Sequence, residues 1–183
     1  MKRNIFRLLF SAVLMMCCMV MNAQPTFEVD GIKYSFTGGT NVKVIANGYS
    51  GTVVIPATVT NSKDGNTYNV TGIGDQAFKD CSGLISITIP SSVTSIGNHA
   101  FVYCSQLSSV ICLPTTAPLL GVDAFDGVKD GCRIYVPSDE YKTVDVWETF
   151  ADMMISSIND WKQIAIDEFA EAINGYDGLD FLS

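Results

Sequence analysis

Two stretches of this chain repeat each other at a fixed spacing of 23 residues. Val70, Ile73, Gly74, Ala77, Phe78, Cys81, Leu84 and Ile87 return as Val93, Ile96, Gly97, Ala100, Phe101, Cys104, Leu107 and Val110. A period of this length signals stacked windings rather than a closed globule. Within one winding, Leu84, Ile87 and Ile89 alternate with Ser86 and Thr88, which predicts a strand with one buried face. Pro90 ends that strand, because it cannot donate to a continuing ladder. Ser91 and Ser92 make the turn, and Gly97 is read as permitting a sharp change of direction. Asn98 is read as capping a brief helical turn that holds Ala100, Phe101 and Cys104. A single winding leaves both of its sides open, so several windings and a closing segment at each end are expected. Phe78, Phe101 and Phe125 should then share one interior file.

The first stretch reads I-G-x-x-A-F-x-x-C-x-x-L-x-x-I-x-I-P from Ile73 to Pro90. The second departs from it at Cys112-Leu113, where one extra residue delays the proline to Pro114. This pattern resembles the BspA-type leucine-rich repeats of bacterial surface antigens, in degenerating form from about Phe27 to Ile158. The resemblance implies an α/β-type repeat solenoid. Its expected form is a right-handed leucine-rich-repeat superhelix, mainly parallel β with short helical turns, an N-terminal β-hairpin cap and a C-terminal helical cap.

Lys2, Arg3 and Arg7 precede an apolar run from Leu8 to Val20, and Ala23 offers a cleavage point. That order reads as a signal peptide over residues 1–23, too short for a membrane-spanning helix. The alternative is a lipoprotein anchor at Cys17 or Cys18, although Met15 and Met16 stand where small residues are wanted. Removing three bases takes the formal net charge from −8 to −11. The charge is uneven: −1 from Gln24 to Val122 and −10 from Asp123 to Ser183. Nucleic acid is excluded as a partner, since nothing would neutralise phosphates, and anionic membrane is disfavoured for the same reason. The acidic end is read chiefly as solubilising.

Four segments follow: residues 1–23; an N-terminal β cap and first degenerate winding over 24–69; repeats over 70–137; and a C-terminal cap with an amphipathic helix over 138–183. Phe27 to Phe36 predicts a hairpin around Asp30-Gly31. A second pair of short strands, Val42–Ala46 and Gly51–Ile55, flanks Asn47-Gly48. Asn61 to Asn69 is surplus to the period and is read as a projecting loop or small hairpin. In a third, degenerate line Ala124-Phe125 repeats Ala100-Phe101, Val128 takes the place of Cys104, and Gly131 that of Leu107. Tyr141, Trp147, Phe150 and Ile155 supply aromatic and apolar cover for an open end. Ile158, Trp161, Ile164, Ala165, Phe169, Ala172 and Ile173 fall on one face of a helix over about Asn159–Asn174. That face is read as docked on the core, the alternative being a handle for another chain.

His99 is the only histidine, in a variable slot, and no nucleophile elbow, P-loop or H-E-x-x-H occurs. No catalytic residue is assigned, and no cofactor. Cys81, Cys104, Cys112 and Cys132 form no C-x-x-C pair, which argues against zinc; Asp123, Asp126 and Asp130 lack the spacing of a calcium loop. No metal site is assigned. The cysteines are read as small buried side chains. Export would permit a Cys81–Cys104 bridge, for which parallel side-chain vectors are awkward.

What remains is a surface. Outward strand positions should stack into two columns, Val54, Thr88, Ile111, Tyr135 and Thr52, Ser86, Ser109, Arg133. Thr88, Ser86, Ser109, Ile111, Arg133 and Tyr135 are the candidate ligand-binding residues, set against an ordinary solvated sheet face. The resemblance implies an exported, non-catalytic adhesion or recognition module, extracellular, cell-surface or periplasmic. It would bind a protein or glycan, host matrix proteins among them. The alternative is an envelope assembly component that associates through its C-terminal helix.

Overall fold

The computed structural model describes residues 25–156. The signal peptide and the amphipathic helix expected over Asn159–Asn174 lie outside these residues.

The chain opens with β1 (Thr26–Val29) and β2 (Ile32–Gly38), paired antiparallel so that Val29 faces Ile32. The turn between them puts Asp30 at φ 50° and Gly31 at φ 75°. That double left-handed turn is the one Asp-Gly sequences favour. β3 (Asn41–Val44) continues the sheet antiparallel to β2. The chain then crosses the molecule to β4 (Gly51–Val54), which joins a different sheet. The two short strands expected on either side of Asn47-Gly48 are present, in different sheets. Asn47 Nδ2 donates to the Gly31 carbonyl, and Lys33 N–H to Tyr49 OH, tying this crossing to the first hairpin.

β5 (Thr58–Thr60) and β6 (Thr67–Ile73) make the expected small hairpin in the surplus segment. Its turn is held by Asp64, whose carboxylate accepts from the Asn66 amide, Tyr68 OH and Asn61 Nδ2. These bonds, the Asn66 amide first, hold the Asp64 carboxyl below its usual range. Each later winding then contributes two strands. β7 (Leu84–Ile89), β9 (Ser109–Cys112), β11 (Arg133–Tyr135) and β12 (Met154–Ile155) extend β4 into a five-stranded sheet. Every pairing in it is parallel. The shorter β8 (Ser95–Ile96) and β10 (Leu119–Leu120) follow β6 in parallel to complete a seven-stranded sheet.

The brief helical turns expected after each glycine are absent among the described residues. In their place lie tight turns such as Ala77 N–H to Gly74 O and Cys81 N–H to Phe78 O. The intervening amides donate across to the next winding, Gln76 to Asn98, Phe78 to Ala100 and Asp80 to Val102. An α-helix needs every amide to donate within its own segment, so stacking and helix formation compete here and stacking wins. The backbone pays with left-handed residues at Gln76, Asp80, His99, Tyr103 and Asp123.

Phe78, Phe101 and Phe125 do share an interior file. Their rings stack at 5.0 Å between successive centroids. Tyr49 extends the file at one end, 4.5 Å from Phe78. Trp147 and Phe150 meet Phe125 at the other, at 6.1 and 5.4 Å. These two come from a segment of short helical turns, Asp139–Thr143, Asp145–Glu148 and Ala151–Met153. Two buried polar atoms in that segment have partners: Tyr141 OH donates to the Pro114 carbonyl and Trp147 Nε1 to that of Pro118, each at 2.6 Å. In the third line Cys132, not Gly131, fills the interior place of Leu107. Cys132 N–H closes on Lys129 O as Leu107 N–H does on Cys104 O, while Gly131 takes a left-handed turn.

Candidate recognition surface

The two outward columns form in the predicted register. Thr52, Ser86, Ser109 and Arg133 are successive partners across β4, β7, β9 and β11, and so are Val54, Thr88, Ile111 and Tyr135. Between them Val53, Ile87, Val110 and Ile134 face the core. Parallel pairing with one residue per strand in each column makes this alignment inevitable once the strand period is set.

Exposure along the columns is not what outward register alone implies. Thr52 and Arg133 are exposed, Val54 is at the margin, and Thr88 and Ile111 are half-buried. Ser86, Ser109 and Tyr135 retain only 8%, 6% and 5% of their surface. The serines are short side chains in the middle of a column, flanked by strands on both sides, and Ser86 Oγ donates to Thr52 Oγ1 at 3.0 Å. Tyr135 is flanked by β9 and by β12, where Ile155 is its register partner. Outward direction fixes which face a side chain leaves; it does not fix how much its neighbours cover it.

His99 lies at the surface, its Nε2 3.5 Å from an Asp123 carboxylate oxygen. The described residues contain no group of histidine, cysteine and acidic side chains arranged to hold a metal ion. Cys81, Cys104, Cys112 and Cys132 are buried free thiols. Burial pushes Cys104 and Cys112 up to about 12 and Cys132 to about 11. A thiol reagent should therefore find almost no reactive group in the native chain from Gln24, and four after unfolding without reductant. Fewer than four would mean that a bridge has formed.

Sequence reasoning missed a cleft of about 730 Å³ beside β4, bounded by the Asp30-Gly31 turn and β5. Its walls come from residues between 29 and 34 and between 47 and 60, which meet because β3 and β4 part into different sheets.

With this geometry in place, the relation to known proteins is decisive. The model of the BspA type leucine rich repeat region (6 copies) matches residues 57–170, well over half of the chain. This chain belongs to the BspA-type leucine-rich repeat family. The family match starts after β4, in the segment where the windings begin, and runs past the described residues. No curated protein sequence matches the chain.

Among solved structures, a leucine rich cell surface protein from Faecalibacterium prausnitzii A2-165 aligns with a TM-score of 0.50. It is 22% identical, over 63% of this chain and 34% of that one, a likeness that concerns the fold alone. A leucine-rich repeat protein from Bacteroides ovatus ATCC 8483 aligns at 0.47 with 28% identity, over 62% and 38%. This BspA-type chain thus spans well under half the length of either. No helix among the described residues is long and apolar enough to cross a membrane.

Proposed function

We propose that this BspA-type chain is an exported, non-catalytic recognition module that binds a protein or glycan at the cell surface. The supporting observation is the continuous pair of columns on the five-stranded sheet. Four parallel strands present Thr52, Thr88, Ile111 and Arg133 on one rigid face, with Ser86, Ser109 and Tyr135 as its buried floor. A rigid face of this kind loses little conformational freedom on binding. Its mix of hydroxyls, one aliphatic group and one guanidinium suits hydrogen-bonding ligands. The surface location follows the Faecalibacterium prausnitzii relative, which is described as a cell surface protein.

The test is binding of the chain from Gln24 to immobilised extracellular proteins and glycans, repeated with Arg133→Ala and Thr88→Ala. Each substitution should weaken binding to an identified ligand, Arg133→Ala by about tenfold or more. Arg133 is exposed, so its thermal midpoint should stay within a degree or two of the parent. Tyr135→Ala is unsuitable, because removing a buried ring lowers stability as well. Unchanged binding by both variants would remove the sheet face from consideration.

A further inference from the structure

We propose that the cleft beside β4 is a second binding site, which takes an extended polypeptide strand from another protein and adds it to the five-stranded sheet. Four observations lead there. First, β4 is the terminal strand of that sheet, and among the described residues it pairs only with β7. Second, Gly51 N–H donates to Gly83 O at 2.7 Å and Ile55 N–H to Thr88 O at 3.1 Å. These odd-numbered positions face β7, and the alternation of a parallel ladder turns the amides and carbonyls of Thr52 and Val54 the other way. Third, that outer edge borders the cleft of about 730 Å³, whose floor includes the buried side chains of Tyr34, Tyr49, Val53 and Val59. Fourth, although this edge strand is short and its register with β7 shifts between Gly51 and Thr52, its side chains carry no guard. Gly51-Thr52-Val53-Val54 contains no lysine, proline or inward charge, and its β-branched residues favour strand pairing.

These features select the occupant. The edge offers donors and acceptors in alternation at strand spacing, which another polypeptide backbone matches and a sugar ring does not. Among the described residues, Asp30 is the only charged side chain lining the cleft. A strand with one basic residue near its end is therefore favoured over an acidic one, and uncharged β-branched residues suit the rest. Thr52 belongs to both surfaces, but Arg133 lies on β11, three strands from β4, so an Arg133 substitution tests the recognition face without touching this edge.

The probe is a soluble heptapeptide of alternating threonine and valine with one terminal lysine, compared with the same peptide ending in glutamate. Titrated into the chain from Gln24, the lysine peptide should shift the Thr52 and Val54 amide resonances and slow their hydrogen exchange at least tenfold at saturation. The glutamate peptide should bind several-fold more weakly, and Asp30→Asn should erase that difference while tolerating the left-handed turn. Val54→Pro removes one outward N–H and leaves the Ile55 bond to Thr88 in place. It should keep the fold and lose at least tenfold in peptide affinity. Arg133→Ala should bind the peptide as the parent does. If Val54→Pro melts early, the Asp30→Asn comparison and the amide shifts decide. Peptide binding unaffected by Val54→Pro in a folded chain would overturn the proposal. So would Thr52 and Val54 amides left unmoved at millimolar peptide, or moved by an oligosaccharide such as chitotetraose instead.

Discussion

Replacing Gly97 with alanine is expected to destabilise the chain by about 3 kcal/mol or more, the upper end of overpacking costs. The backbone there is not left-handed, so the glycine is not required for its φ. It is required because the previous winding lies directly against it. A Cβ on Gly97 would sit 2.6 Å from the Gly74 carbonyl carbon, closer still to the Asp75 amide nitrogen, and 2.5 Å from Asp75 Oδ1. The carboxylate could swing aside, but only by giving up the bond it accepts from Asn98 N–H at 2.8 Å. The two backbone atoms cannot swing aside, because the ladders on both sheets fix the distance between windings. Gly121 meets the same obstacle one winding later, against Gly97 and Asn98. Gly74 does not: its nearest neighbour would be the Val44 carbonyl oxygen at 3.0 Å, where the strand before it belongs to the irregular first winding. Thermal melts of the three alanine variants should therefore rank Gly97 and Gly121 together, each roughly 10 °C below the parent, with Gly74 much nearer to it. A Gly97→Ala chain that melts within about 2 °C of the parent would show that the windings are not held this closely.

That glycine shows where sequence reading succeeded and where it stopped. The 23-residue period located Gly97 in its column, but assigned it to a change of direction rather than to close approach. The two roles are indistinguishable in one sequence, because both call for a residue without a Cβ. The aromatic file was legible, since three phenylalanines at one repeat position must meet if windings stack at all. Its end members were only partly so. Tyr49 lies outside the recognisable repeats, and the sequence gives no register that would bring it to Phe78. The second, shorter strand of each winding was missed because Ser95-Ile96 and Leu119-Leu120 are two residues long and show no alternation. The expected helical turns failed for a different reason. Ala100, Phe101 and Cys104 have acceptable helical spacing, but their segment's amides are bonded to the next winding, a tertiary demand no local pattern displays.

The candidate site divides in the same way. The columns on the sheet face were readable to the residue, because strand period and repeat period together fix them. Their exposure was not, and Tyr135 is covered in consequence of β12, a strand whose pairing has no counterpart in the repeat pattern. The cleft could not be read at all. It depends on β3 and β4 parting into different sheets, whereas Asn47-Gly48 by itself favours a hairpin. Two of its features, a bare strand edge and a single carboxylate, acquire meaning only when that parting is known.

Alkaline unfolding is the other large effect expected. Cys104 and Cys112 titrate at about 12 in the folded chain, and Cys132 at about 11, because burial penalises the thiolate. In the unfolded chain all three titrate near the ordinary thiol value, about 8.5 to 9. A group whose folded value is raised contributes stability that is intact below its unfolded value and is lost as pH climbs towards the folded one. The sensitive window therefore runs from about pH 9 to about pH 11 or 12. Each thiol removes about 1.4 kcal/mol per pH unit within it, so three together remove about 4 kcal/mol per unit. Tyr49, also raised to about 12 by burial, adds to the loss above about pH 10. Against a total stability of about 5–15 kcal/mol, this should unfold the chain by roughly pH 11 to 12. Far-ultraviolet circular dichroism against pH should show a flat plateau up to about 9 and a cooperative loss above it. Cys104→Val supplies the control, because Val128 already occupies the same repeat position one winding later. With one titrating thiol gone, the alkaline midpoint should move upward, even if stability at pH 7 is unchanged or slightly lower. A midpoint that stays put in Cys104→Val and in Cys132→Val would mean that the thiols reach water before the fold gives way, and that the interior file is looser than its stacked rings imply.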